Sequence, residues 1–250
     1  MPVIKARTVL FDYGNTLEMD PFDEIINKFY DRAGFASGIL SVLDNWKKSN
    51  KELNWKYASH FSQEEPFIQA ALKRAGYTAD VSATLAPELL LEYRKNLEIH
   101  RAGDPRREVI RKVFEGLKAK GLTIGIVSND REWAPEACMR AYGVHKLLDR
   151  IYTSEELGVE KPDPEVFRKV CADMNIEPRE LCYVGDDPVR DIQCPKQLGI
   201  SAVLYVPPGK YKQSESWRDY NAKISESPDA VIENLEELLD IIEPIPTPAS

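Results

Sequence analysis

Four short segments hold most of the side chains in this chain that could do chemistry. Asp12 lies in Phe11-Asp12-Tyr13-Gly14-Asn15-Thr16-Leu17, and Ser128 and Asn129 close Ile126-Val127-Ser128-Asn129. Lys161 lies in Glu160-Lys161-Pro162-Asp163, and three more acids lie in Val184-Gly185-Asp186-Asp187-Pro188-Val189-Arg190-Asp191. Carboxylates are hard oxygen donors of the kind Mg²⁺ requires. Asp186, Asp187 and Asp191 are close enough to repel one another severely unless a cation or Lys161 sits among them, so their clustering predicts a metal. Ser128 and Asn129 offer a hydroxyl and backbone amides as donors. Taken singly, each segment also has a plainer reading: a strand-end aspartate caps or turns, Ser-Asn-Asp makes a turn, and a Lys-Pro is a solvated loop.

These residues need elements to bring them together, and the apolar pattern supplies them. Short β-rich runs at 8–11, 123–127, 150–153, 181–184 and 202–206 are each bounded by Gly, Asp, Pro or Ser, which predicts buried strands. Between them the spacing becomes helical. Residues 105–120 place Val109, Ile110, Val113, Phe114 and Leu117 on one face, with Asp104 expected as N-cap, Pro105 in the first turn and Gly121 as the stop. A second helix is expected to start at Asp163-Pro164 and carries Val166, Phe167, Val170, Cys171 and Met174 before Pro178. Alternating strands and helices predict an α/β fold with a doubly wound, mainly parallel sheet of Rossmann type. Ligands of such sheets bind beyond the carboxyl ends of the strands, where the four segments fall.

From 17 to about 105 the grammar changes. Apolar residues recur at helical intervals, as at Ile25, Ile26, Phe29 and Tyr30 and again at Phe67, Ile68, Ala71 and Leu72, with no strand pattern. Residues 17–105 therefore read as a helical domain inserted into a core formed by 1–16 and 106–250. A polar stretch, 207–227, reads as a surface loop, a last helix is expected near 231–242, and the final PIPTPAS as an extended tail.

The chain has 250 residues, 43% of them apolar, and acids exceed bases by 41 to 33 for a net charge of -8. That balance argues against nucleic acid or an anionic membrane as partner and suits a small or metal-bridged ligand. Cys138, Cys171, Cys182 and Cys194 form no C-x-x-C pair and read as buried thiols of a reducing compartment. The N-terminal MPVIKARTVLFDYG has neither signal-peptide nor membrane-span character, so a cytoplasmic location is expected. Oligomeric state is not legible.

In this order and at these separations the four segments resemble the signature motifs of the haloacid dehalogenase superfamily, helical-cap type, and the resemblance runs on to Pro228-Asp229-Ala230-Val231. It implies a Mg²⁺-dependent phosphatase-type hydrolase of small phosphorylated metabolites, working through an aspartyl-phosphate on Asp12. It further implies that Asp12, Asp186 and the carbonyl of Gly14 hold the metal, that Asp187 and Asp191 orient metal-bound water, and that Ser128, Asn129 and Lys161 receive the phosphoryl group.

The pattern departs at Gly14, where the phosphatases of the superfamily carry a second aspartate that protonates the leaving group and later activates water, a role worth about 10²- to 10⁴-fold. Asn15 likewise replaces a glycine. Three readings accommodate the loss. The substrate has a good leaving group, such as an acyl phosphate; another residue, Glu18, Asp20 or His60, supplies the proton; or the chain is a weakly active member that binds a phosphorylated ligand or a protein. The dehalogenases of the superfamily also lack this aspartate and need no metal, so halide displacement from a 2-haloacid is the competing enzyme. A phosphonatase-like reaction through a cap lysine has Lys47, Lys48, Lys51 and Lys56 to draw on.

Overall fold

A computed structural model describes residues 2–19, 65, 69, 72–73, 76–130, 133–207 and 225–246. Asp20, Ile25, Ile26, Phe29, Tyr30, His60, Phe67, Ile68, Ala71, the four cap lysines and most of the 207–227 loop lie outside the described residues.

Six strands form one parallel sheet, in the order β4-β3-β2-β5-β6-β7. They are β2 (Thr8–Phe11), β3 (Thr123–Ser128), β4 (Arg150–Thr153), β5 (Leu181–Gly185), β6 (Ser201–Tyr205) and β7 (Ala230–Ile232). The chain winds outward from β2 to β3 and β4, then returns to β5 on the other side of β2 and winds outward again. The order therefore reverses between β2 and β5, at the crevice where sheets of this kind hold their ligands. Register fixes the ends: Phe11 pairs with Ile126 on one side and Val184 on the other, so Asp12 and Asp186 emerge at the same edge.

Both faces of the sheet are covered, and alternation along each strand sorts its residues between them. Val9, Phe11, Ile124, Ile126, Cys182 and Val184 pack with helix α2 (Arg106–Ala119) and helix α3 (Trp133–Ala141). Leu10, Val127, Leu181 and Tyr183 pack on the other face with Val166, Phe167, Val170 and Cys171 of helix α4 (Glu165–Met174). The Phe11 and Phe114 rings lie 5.3 Å apart, and burying a side chain of that size stabilises by roughly 1.5–3 kcal/mol. Gly125 is required where β3 meets β4, since a Cβ there would stand 2.6 Å from the Arg150 carbonyl oxygen.

Several local expectations are corrected. The N-cap position of α2 is Pro105, without a side-chain cap bond, in place of Asp104; Asp163 does bond the start of α4, accepting from the Glu165 amide at 2.9 Å. The region near 231–242 is not one helix. It is β7, a 3₁₀ turn (Leu235–Glu237) capped by Asn234, a short helix (Leu238–Ile241) and strand β8 (Ile242–Pro244). Strand β8 pairs in parallel with β1 (Ile4–Ala6) to make a separate two-stranded sheet. Apolar spacing at Leu235, Leu238 and Ile241 suits a helix, but Val231 and Ile232 are β-branched and have an open sheet edge to join.

The chain divides into two compact units, Met1–Met19 with Pro105–Ser250, and Asp20–Asp104. Leu17 is fully buried in the core of the first, which carries that unit past residue 16. The second unit contains helix α1 (Ala79–Gly103), opened by Thr78, whose side chain accepts from the Val81 amide. Ser82, Ala86, Leu89, Leu97 and Arg101 form its buried stripe at helical spacing. No described helix is long and apolar enough to cross a membrane.

Candidate active site

Asp12 continues the line of β2 by one residue, its amide donating to the Val184 carbonyl at 2.8 Å. The carboxylate is thereby fixed between β2 and β5. One oxygen, Oδ1, accepts from Lys161 Nζ at 2.7 Å and the other lies 3.4 Å from the Thr16 hydroxyl, which donates to it. The turn that follows passes through Asn15 at φ 59°, a left-handed conformation in which glycine is easiest and asparagine next best. Gly14 needs no such freedom, and a Cβ built on it meets nothing within 4 Å.

Lys161 is buried, 2% exposed, and each N–H of its ammonium has an acceptor: Asp12 Oδ1 at 2.7 Å, Asp191 Oδ1 at 2.7 Å and the Tyr183 hydroxyl at 2.5 Å. Its backbone is held as well. Asn129 Nδ2 donates to the Lys161 carbonyl at 2.7 Å, and Asn129 Oδ1 accepts from the Lys161 amide at 2.8 Å. The side-chain amide of Asn129 is thus committed to the lysine loop, and Ser128 is buried at the end of β3.

Asp186, Asp187 and Asp191 divide into two arrangements. The residues after β5 form a π-helical turn (Pro188–Gln193), which swings Asp191 back beneath the end of the strand. Asp191 Oδ2 accepts from the amides of Asp186 at 3.1 Å and Asp187 at 2.9 Å. Gly185 makes this possible, because a Cβ there would come within 2.5 Å of the Asp191 carboxyl. Asp187 faces its own turn: Oδ1 accepts from the amides of Val189 and Arg190, each at 2.9 Å, and Oδ2 pairs with Arg190 at 3.0 Å. Its acidity follows, since the Arg190 charge and these amides outweigh partial burial and hold its carboxyl below the usual range.

The oxygens of Asp12, Asp186 and Asp191 lie within 4.8 Å of one another and all three residues are buried. Three buried carboxylates face the Lys161 ammonium, and the Arg190 charge acts on all three from the next turn. Burial pushes the Asp12 carboxyl up to about 7, Lys161 opposes that shift, and Asp191 and Asp186 add to it. Burial disfavours the Lys161 ammonium, but Asp12 and Asp191 overcome this and raise its pKa. A cluster of hard oxygen donors fits a small divalent cation.

Residues 6–199 match the family model described as haloacid dehalogenase-like hydrolase. The chain belongs to this family. It is 34% identical over 244 residues to glyceraldehyde 3-phosphate phosphatase of Methanocaldococcus jannaschii, covering 94% of this chain and 96% of that protein. It is 23% identical to (S)-2-haloacid dehalogenase 4A of Burkholderia cepacia, over 74% of this chain and 77% of that one. Among solved structures, the magnesium-bound HAD-hydrolase YfnB of Bacillus subtilis superposes with a TM-score of 0.67 at 21% identity, covering 95% of this chain and 98% of that one. The α/β fold inferred from strand-helix alternation is the fold of these HAD structures.

One member of the site, Tyr183, and one residue beside it in sequence, Tyr13, are invisible to motif reading. Tyr183 looks like one more strand residue, and Tyr13, next to Asp12, looks like a turn residue. Yet the Tyr13 hydroxyl donates to the buried Glu18 carboxylate and lies 3.3 Å from the Ala134 carbonyl at the start of α3. Of the proton sources named from sequence, Glu18 is therefore buried and held by Tyr13.

Proposed function

We propose that this hydrolase is a phosphatase of small phosphorylated metabolites and that Asp12 is its nucleophile. The observation that carries the reading is the ion-paired set Asp12–Lys161–Asp191, closed around a carboxylate at the switch point of the sheet and joined by Asp186. In the first step an Asp12 oxygen bonds to phosphorus as the bond from phosphorus to the leaving oxygen breaks, giving an aspartyl-phosphate. In the second, water adds to phosphorus, the bond to Asp12 breaks, and phosphate leaves with the carboxylate restored. Lys161 holds Asp12 in place and offsets charge on the phosphoryl oxygens, while the Ser128 hydroxyl and the main-chain N–H of Asn129 donate to them.

Asp12, Asp186 and the Gly14 carbonyl would hold Mg²⁺, which when bound neutralises phosphoryl charge and fixes the group for in-line attack. Asp191 and Asp187 support it differently. Asp191 braces Lys161 and the amides after β5, and Asp187 stiffens the turn that carries Asp191. The 20–104 unit is the substrate-selecting cap, and the protein works in the cytoplasm. Gly14 offers the leaving group no proton, so substrates that depart readily, acyl phosphates above all, are turned over best.

Identity of 34% over 94% of the chain to a named phosphatase, against 23% over 74% to a haloacid dehalogenase, supports this reading over dehalogenation. The dehalogenase reading keeps one observation in its favour, the absence of a carboxylate at Gly14. The test is product release from p-nitrophenyl phosphate, acetyl phosphate, sugar phosphates and 2-chloropropionate, with and without Mg²⁺, with Asp12→Asn as control. Phosphate release that needs both Mg²⁺ and Asp12 is expected; chloride release without metal would overturn the proposal, and silence throughout would leave a binding protein.

A further inference from the structure

The two carboxylates that grip Lys161 attract its ammonium but do not by themselves fix where between them it rests. The third acceptor is different. The Tyr183 oxygen is neutral and fully buried, and its position is set independently of the lysine. Its O–H donates to the Val127 carbonyl of β3 at 2.7 Å, and its ring stands edge-on to Phe167, with centroids 4.8 Å apart at 76°. Tyr183 therefore ties β5, which carries Asp186, to β3, which carries Ser128, and presents a lone pair to Lys161 Nζ at 2.5 Å.

We infer that Tyr183 is a positioning residue for the phosphoryl transfer proposed above: its hydroxyl holds the Lys161 ammonium at the point where it contacts Asp12 and Asp191 together. The inference rests on the roles given there to Asp12 and Lys161. Phenylalanine would fill the same volume in β5, so packing alone does not call for the hydroxyl. Without it, one N–H of the ammonium and the Val127 carbonyl lose their partner in a dry interior, and the lysine is free to shift toward either acid. Asp12 then loses the fixed contact that aims it.

The experiment compares wild type, Tyr183→Phe and Val170→Ala in steady-state turnover of acetyl phosphate with Mg²⁺. It adds proton–nitrogen correlation spectra of the lysine ammonium groups, with Lys161→Arg to assign the Lys161 signal. Removing a hydrogen bond to a charged group predicts that Tyr183→Phe lowers kcat by about ten- to a hundredfold, with KM within about twofold. The Lys161 signal should shift or vanish as the ammonium loses its fixed place. Val170→Ala thins the same core face but keeps the hydroxyl and both contacts that set it, so it should lower the melting temperature and leave kcat and the signal in place. A Tyr183→Phe kcat within about twofold of wild type overturns the inference. If wild type turns over nothing in the panel, the functional proposal falls and the spectra alone decide: an unmoved Lys161 signal in Tyr183→Phe overturns the positioning role, and a lost one upholds it.

Discussion

The Asn129 side chain closes a two-bond ring on the main chain of Lys161, donating at 2.7 Å and accepting at 2.8 Å across 32 positions of sequence. An amide can do this and a carboxylate cannot, because one partner is a C=O and the other an N–H. The motif after β3 and the lysine loop are therefore a single mechanical piece.

Asn129→Asp should break that piece with almost no change in volume, since its second oxygen would face the Lys161 carbonyl. Expected are a loss of about 1–3 kcal/mol in urea denaturation, the usual range for an unsatisfied buried group, and a kcat lowered more than KM is raised. Unchanged stability would show that the clamp does not hold in solution.

Gly14→Asp should fit. Its backbone is not left-handed and a Cβ finds open space, so the fold ought to keep its melting temperature within a few degrees. If a missing leaving-group acid is what limits the enzyme, this variant should accelerate alkyl phosphates by about 10²- to 10⁴-fold while acetyl phosphate gains little. Equal gains on both substrates would point to some other limit.

Gly185→Ala should be costly although the change is one methyl group. The added carbon would lie 2.5 Å from the Asp191 carboxyl, which has two amides and Lys161 as partners and little room to move. Overpacking of this kind typically costs about 1–3 kcal/mol. Activity should fall with it, and a crystal structure of the variant should show Asp191 displaced.

Acidity gives a prediction for the metal-free protein. The Asp12 carboxyl is raised from 3.8 to about 7, so between those values the folded state keeps a proton that the unfolded chain has released. Stability must then fall as pH rises through this window, and Asp12→Asn should flatten that part of the profile. Mg²⁺ has to displace the same proton. Its stabilising effect in thermal melts should accordingly be small at pH 5 and large at pH 8.

How much of this was readable in advance depends on what each residue's role requires. Asp12 and Asp186 stand out in the sequence at strand ends, and register alone brings them to one edge, whereas Lys161 in its Lys-Pro loop stands out only through the resemblance of the four segments to the superfamily's motifs. The π-helical turn was not legible, and it is what separates Asp191, turned into the cluster, from Asp187, turned onto its own amides. Tyr183 was hidden for a different reason. A tyrosine in a buried strand satisfies the apolar pattern with its ring, and only three-dimensional packing shows where its hydroxyl goes. The C-terminal strands were missed because pairing with β6 and β1 outweighs the helical spacing of the leucines.

All of the acidic cluster, the lysine and its braces belong to the Met1–Met19 and Pro105–Ser250 unit, although the chain leaves that unit a few residues after Asp12 and re-enters it at Pro105. Among the described residues, every partner of Lys161 comes from those two flanking stretches, so a change of length or sequence confined to the Asp20–Asp104 stretch replaces none of them.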